Sequence, residues 1–173
     1  GAKDVHVMGE TRFDIAPPSG HVGAGANLKD ARPVLTLASV VAGEEELYLS
    51  LVKDLLDDPV PPLIVWVPRA PELFEATVAR LGAAGLNVVR RSDFFGDDLQ
   101  PVASMDGVQV LVGNSLGEMF FYLSPADAVI VGGGFVEKGA HNVIEPLSLG
   151  KPVLTGPHVW TIEFPGVEAA AAG

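Results

Sequence analysis

Six short apolar runs, most of them rich in β-branched residues and bounded by Gly, Pro or polar turns, restrict this chain to a sheet of buried strands. They occupy residues 33–41 (PVLTLASVV), 62–67 (PLIVWV), 86–90, 108–112, 126–131 and 152–155. The segments between them carry apolar residues at helical spacing instead. In 44–57 these are Leu47, Leu51 and Leu55 with Val52 and Leu56, and in 72–81 they are Leu73, Phe74, Val78 and Leu81. Glu44, Glu45 and Glu46 stand at the start of the first of these helices, where the helix dipole favours anions. Shorter helices are predicted over 119–124 and around Pro146, the second stopped by Gly150. Strands alternating with helices predict an α/β fold, a doubly wound, Rossmann-like parallel sheet with right-handed crossovers.

A chain of 173 residues with 48% hydrophobic content suffices for one well-cored domain. The apolar stretch 5–8 followed by the Pro- and Gly-rich stretch 17–25 predicts an interdomain linker and a strand entering the domain over residues 1–26. The domain itself is expected over 27–173. The start at Gly1 and the alanine-rich end read as a piece of a longer protein, cut short at its C-terminus. No apolar run approaches the roughly 20 residues of a membrane helix, and no signal peptide is present, so a cytoplasmic domain is expected. With no cysteine and four scattered histidines, neither disulfides nor a metal site is expected. Eleven Lys and Arg against 22 acidic residues, a net charge of −11, argue against a nucleic-acid partner. A small anionic ligand requires local convergence of a few cations.

The turn after the first strand, SVVAGEEE, has one glycine where a dinucleotide site needs three, and its three glutamates would repel a pyrophosphate. Nicotinamide and flavin cofactors are therefore disfavoured. The P-loop pattern and the GxSxG elbow are absent as well.

The polar residues concentrate in 132–158, GGGFVEKGAHNVIEPLSLGKPVLTGPH, directly after a predicted strand. Loops at the carboxyl ends of strands form the ligand crevice of an open α/β sheet. Gly132, Gly133 and Gly134 suggest close backbone approach, and Lys138, His141, Asn142 and Glu145 follow within the same loop. Glu145, next to Pro146 at a helix mouth, could accept two hydrogen bonds from vicinal ribose hydroxyls or could simply cap the helix. Ser115 and Glu118, flanking Gly117, have the capping-box spacing, and the same helix start could attract a phosphate. Arg69, just past a strand, could fork onto a phosphate or carboxylate or could be an ordinary exposed arginine.

The run 132–158 closely resembles the signature of the 3-deoxy-D-manno-octulosonic acid (Kdo) transferases, which add Kdo to lipid A precursors from CMP-Kdo. The matching particulars are Gly139, His141, Asn142, Glu145, Pro146, Gly150, Lys151, Pro152, Gly156, Pro157 and His158. NSLGEM at 114–119, VMGETRFD at 7–14, GEEE at 43–46 and PRAPELF at 68–74 follow in the family's order. The family usually has a histidine two residues before the glycine of its GEE block and another inside its PRHPE block, where this chain has Val41 and Ala70. An acidic residue and a glycine of the family pattern are here Asn114 and Ala140.

The resemblance implies the C-terminal, donor-binding half of a two-domain GT-B glycosyltransferase of lipopolysaccharide biosynthesis. It places no catalytic base in this chain, so the half alone is expected to be inactive. The base and most of the lipid A acceptor surface would lie on the N-terminal half, in a parent associated with the cytoplasmic face of the bacterial inner membrane. No cofactor is implied beyond the donor substrate CMP-Kdo. By position, Glu145 would hold the ribose; Asn142, the glycine loop and the helix start at Ser115 would surround the phosphate; Arg69 would face the phosphate or the Kdo carboxylate. Two other readings are compatible with the residues: a related GT-B transferase or epimerase that takes UDP-sugars, and a non-catalytic binding paralogue, suggested by Val41 and Ala70.

Overall fold

The apolar runs pair as one six-stranded, all-parallel sheet in the order β3-β4-β2-β1-β5-β6. The strands are β1 (Val34–Val40), β2 (Leu63–Pro68), β3 (Val88–Arg90), β4 (Val110–Val112), β5 (Ala128–Val131) and β6 (Val153–Thr155). This computed structural model describes Lys3, Asp4, His6, Asp14 and residues 16–172. The strand expected over 5–8, and most of the 7–14 block, lie outside the described residues.

Strand periodicity divides the core between two faces. Along β2, Leu63, Val65 and Val67 face one side with Phe121 and Tyr122, while Ile64 and Trp66 face the other with Leu37, Tyr48, Leu49 and Val52. The second face is covered by α2 (Glu45–Leu56) and α3 (Phe74–Ala83), which supply Tyr48, Leu49, Val52 and Leu81 to it. The first face is covered by α1 (Ser19–Gly25) and α5 (Met119–Leu123). Towards β5 and β6 its covering comes from α6 (Ile144–Ser148) and the residues around Ile162 that lead into α7 (Glu163–Ala172). Helices on both faces of a parallel sheet are the expected doubly wound arrangement.

Two stretches without a predicted element are partly built. Part of the stretch read as linker is helical: α1 packs against α5 with Gly25 buried, and Leu28, just beyond it, is 1% exposed in the core. The acidic stretch after β3 is also partly built. It contains α4 (Arg91–Phe94) and a bridge between Phe95 and Pro101, anchored by buried Phe95 and Leu99. In both places scattered apolar residues too few to show a period find a partner only in the tertiary fold.

The chain order creates a switch. From β1 it proceeds to β2 and to the edge strand β3, returns to β4 between those two, and then crosses to the opposite side of β1 for β5 and β6. The loops leaving β1 and β5 therefore part to opposite faces and leave a crevice between their carboxyl ends.

One buried polar contact locks this arrangement. Thr36 in β1 is fully buried and donates its hydroxyl to the Tyr122 carbonyl of α5 at 2.9 Å. Thr36→Val keeps the shape and leaves that carbonyl without its partner. The substitution is expected to lower unfolding free energy by about 1–2 kcal/mol, read as a shifted urea midpoint with an unchanged slope.

Candidate functional site

At the end of β1 the chain turns through Gly43, whose φ of +104° suits a residue without a side chain, into α2. Glu44, the residue preceding α2, is 0% exposed. Its carboxylate reaches across to the β5 loop. One oxygen accepts from the backbone N–H of Gly133 at 2.8 Å and of Phe135 at 3.1 Å, and the other accepts from Val41 N–H at 3.3 Å. Lys138 returns the connection by donating its ammonium to the Ala42 carbonyl at 2.8 Å. The β1 turn and the β5 loop are thus sewn together at the crevice.

The three glycines answer to this packing. A side-chain carbon at Gly132 would lie 2.5 Å from the Ser39 carbonyl oxygen, and one at Gly133 would lie 2.3 Å from the Gly139 carbonyl oxygen. At Gly134 it would lie 2.7 Å from Thr155 Oγ1. The N–H of Gly132 extends the sheet to Ala38 O at 2.8 Å, and that of Gly133 is taken by Glu44. The close approach read from the sequence is therefore made to the protein's own backbone, and neither of these two N–H groups is left for a ligand. Farther along, the loop is tied by His141 N–H to Gly132 O at 3.0 Å and by His158 N–H to Gly134 O at 3.0 Å.

His141 is half-buried, and Arg69 stands exposed at the end of β2, its N–H held by Val40 O at 2.8 Å. Burial first, and then the charge of Arg69, hold the His141 imidazole below its ordinary range. In a chain of net charge −11, two basic side chains converging at the sheet switch, neither ion-paired with a described residue, form a local exception to the acidic surface. Asn142 turns inward: its side-chain oxygen accepts from Ile144 N–H at 2.9 Å and so starts α6. Glu145 stands half-buried in the first turn of α6.

The capping box anticipated at Ser115 and Glu118 does not form. Residues 114–117 precede α5 as a loop, and no side chain caps the helix. Ser115 instead donates its hydroxyl to the Glu118 carboxylate at 2.5 Å and takes a short bond from the Tyr122 hydroxyl. Burial pushes the Tyr122 phenol pKa up, so it stays a donor. Gly117 is exposed with φ +78°. This loop ends the strand next to the one that carries Arg69, and it borders the crevice on that side.

The carboxyl ends of the sheet thus bring the β4 loop, Arg69, the β1 turn and the β5 loop into one row. Two residues of this row escape a sequence reading. Glu44 is one of three adjacent glutamates and carries no mark of its burial; Arg91, buried against Glu118, is half of an arginine pair. A cavity of about 540 Å³ lies elsewhere, beside the outer strand β6, lined by Leu147, Val153, Val159 and Ile162 among others. It is apolar, and its one cation, Lys151, is turned onto Ser124 O at 2.7 Å. Among the described residues no group of acidic residues and histidines is placed to hold a metal ion, and no helix is long and apolar enough to cross a membrane.

No family model matches the sequence. The chain is 39% identical, over its whole length, to a 3-deoxy-D-manno-octulosonic acid transferase of Bordetella pertussis, of which it covers 40%. A transferase of the same description from Haemophilus influenzae is 34% identical over 80% of the chain, with 30% of that protein covered. The chain therefore spans well under half the length of these relatives. Among solved structures it resembles the C-terminal CMP-Kdo binding domain of WaaA from Acinetobacter baumannii. The TM-score is 0.76 with 26% identity, covering 87% of this chain and 78% of that one.

Two outcomes follow from the geometry. Glu44→Ala strands three N–H groups, two of them buried, and is expected to cost on the order of 3 kcal/mol of stability. Glu44→Gln, which can keep its carbonyl oxygen on Gly133 and Phe135 and disturb only Val41, should cost clearly less in the same denaturant titration. Because His141 has a depressed pKa in the folded state, the unfolded chain takes up the proton first as pH falls below about 6.5. Tm is therefore expected to fall between pH 7.5 and 5.5, and His141→Gln to flatten part of that slope.

Proposed function

We propose that this chain, homologous along its whole length to the Kdo transferases, is the donor-binding half of a two-domain GT-B glycosyltransferase and holds CMP-Kdo at the carboxyl ends of its sheet. The observation that carries the reading is the Arg69 and His141 pair at the sheet switch of a fold shared with a CMP-Kdo binding domain. A donor with a phosphodiester and a sugar carboxylate is anionic at both groups, and these two side chains are the cations that meet it. Arg69 presents a planar fork to an oxyanion. His141, neutral when the crevice is empty, gains a proton when an anion arrives beside it, so its charge appears on demand.

Glu145 accepts from the ribose hydroxyls in this reading. The β4 loop closes the far side. An acceptor hydroxyl, its proton taken by a base on the other half of the protein, attacks the anomeric carbon of the sugar, and the bond to CMP breaks as the new glycosidic bond forms. What this half contributes is position and compensation of the charge that grows on departing CMP. Groups fixed in advance by Glu44 and Asn142 need little reorganisation at that moment. The lipid A precursor meets the other half of the protein, at the cytoplasmic face of the inner membrane.

Calorimetry with CMP tests the reading, with UMP as the parallel arm. Saturable binding of CMP in the micromolar to millimolar range is expected, stronger than that of UMP. Arg69→Ala should weaken it about tenfold or more, roughly 1.4 kcal/mol. Binding near pH 6.5–7 should take up protons, and His141→Gln should reduce that uptake, seen by comparing buffers of different ionisation enthalpy. Absence of saturation at millimolar CMP, or equal affinity of the Arg69→Ala variant, would overturn the assignment.

A further inference from the structure

Arg91 is the buried charge that the donor-binding reading leaves without a task. Its side chain is 6% exposed, and its guanidinium meets the Glu118 carboxylate at 2.7 Å, with a second, longer bond to Phe95 O at 3.3 Å. Its Nε is buried without a hydrogen-bond partner. As a source of stability this is a poor arrangement. Burying a guanidinium and a carboxylate costs more solvation than an imperfectly satisfied pair returns, and apolar residues of similar volume do as well or better. What an apolar replacement cannot do is orient a carboxylate.

The orientation propagates. Glu118, held by Arg91 on one oxygen, receives the Ser115 hydroxyl at 2.5 Å on the other, with the Tyr122 hydroxyl that donates to Ser115 lying 3.4 Å from it. The neighbour of Arg91 grips the other end of the same loop: Asn114 accepts from Ser92 N–H at 3.0 Å and donates to the Ser92 hydroxyl at 2.9 Å. The β4 loop is thus clamped at both ends by consecutive residues of α4. Between the clamps Leu116 is 70% exposed and Gly117 has open space where a side chain would be. A segment so exposed has little packing of its own, and its shape is dictated by the clamps.

We infer that Arg91 is a positioning residue for donor binding: through Glu118 and Ser115 it sets the shape of the 114–118 loop that walls the crevice beside Arg69. The inference rests on the donor-binding reading and adds to it a residue that does not touch the donor. Because Ser115 and Glu118 spend their side chains on each other, the loop meets the ligand with its backbone, and an error in loop shape is an error in every contact it makes.

The test uses the full-length transferase. Arg91→Met removes the charge at similar volume, and Arg91→Lys keeps a charge without the fork. The double variant Arg91→Met with Glu118→Met replaces the whole pair by apolar groups and guards against a single variant that fails to fold. The double variant is expected to match the parent in Tm and to raise the donor KM about tenfold or more with kcat changed far less. Arg91→Lys should fall between it and the parent. In amide spectra of the chain, Arg91→Met should shift residues 114–118 and leave 133–142 in place. A double variant with parental Tm and parental donor KM would overturn the inference, as would spectra in which the loop amides do not move. Failure of the parent itself to bind CMP would instead strike the donor-binding reading, so the two failures are distinguishable.

Discussion

The carboxylate of Glu44 is the contact on which the crevice depends. The loops after β1 and β5 leave the sheet for opposite faces, and each carries backbone N–H groups that no strand can satisfy. A single buried carboxylate serves both. It accepts from Val41 on its own side and from Gly133 and Phe135 on the other, so the two lips cannot separate without stranding a charge or three donors in the interior. The glycines follow from this: only residues without side chains let the β5 loop come close enough to Ser39, Gly139 and Thr155 for the carboxylate to reach.

The rest of the row builds on that fixed point. With the β5 loop in place, His141 is half-buried and close enough to Arg69 to feel its charge, which concentrates positive potential where the surrounding protein is acidic. Asn142 starts α6 with its side chain, and Glu145 stands in the first turn of that helix. On the far side, Arg91 and Ser92 do for the β4 loop what Glu44 does for the β5 loop: buried or backbone-anchored polar groups fix its path. Both lips of the crevice are therefore held by buried charged side chains, Glu44 and Arg91.

The correspondence with the Kdo transferases fits this design at the level of the fold and the strand-end loops, since the match to a CMP-Kdo binding domain runs over 87% of the chain. The histidines that the family pattern places after the first strand and in the second strand-end loop are here Val41 and Ala70. Val41 is 6% exposed and gives its N–H to Glu44, so its contribution is to the staple and not to the ligand surface. Positive charge at the switch rests on Arg69, with the imidazole of His141 beside it.

The sequence by itself determined the strands, the long helices and the doubly wound class, because these are written in local periodicity: a period of two for buried strands and of 3.6 for α2 and α3. It also marked the β5 loop as the place where polar residues gather. Only the tertiary structure decided what those residues do. Three adjacent glutamates are equivalent in sequence, yet Glu44 alone points into the fold. Arg90 and Arg91 are neighbours, yet one pairs with Glu75 on the surface and the other is buried on Glu118. Ser115 and Glu118 have the spacing of a cap and bond to each other instead, because Tyr122 from the following helix and Arg91 from elsewhere in the chain converge on them. The physical reason is the same in each case: a hydrogen bond between groups far apart in the chain leaves no periodic trace, and which of two identical side chains is buried is settled by packing.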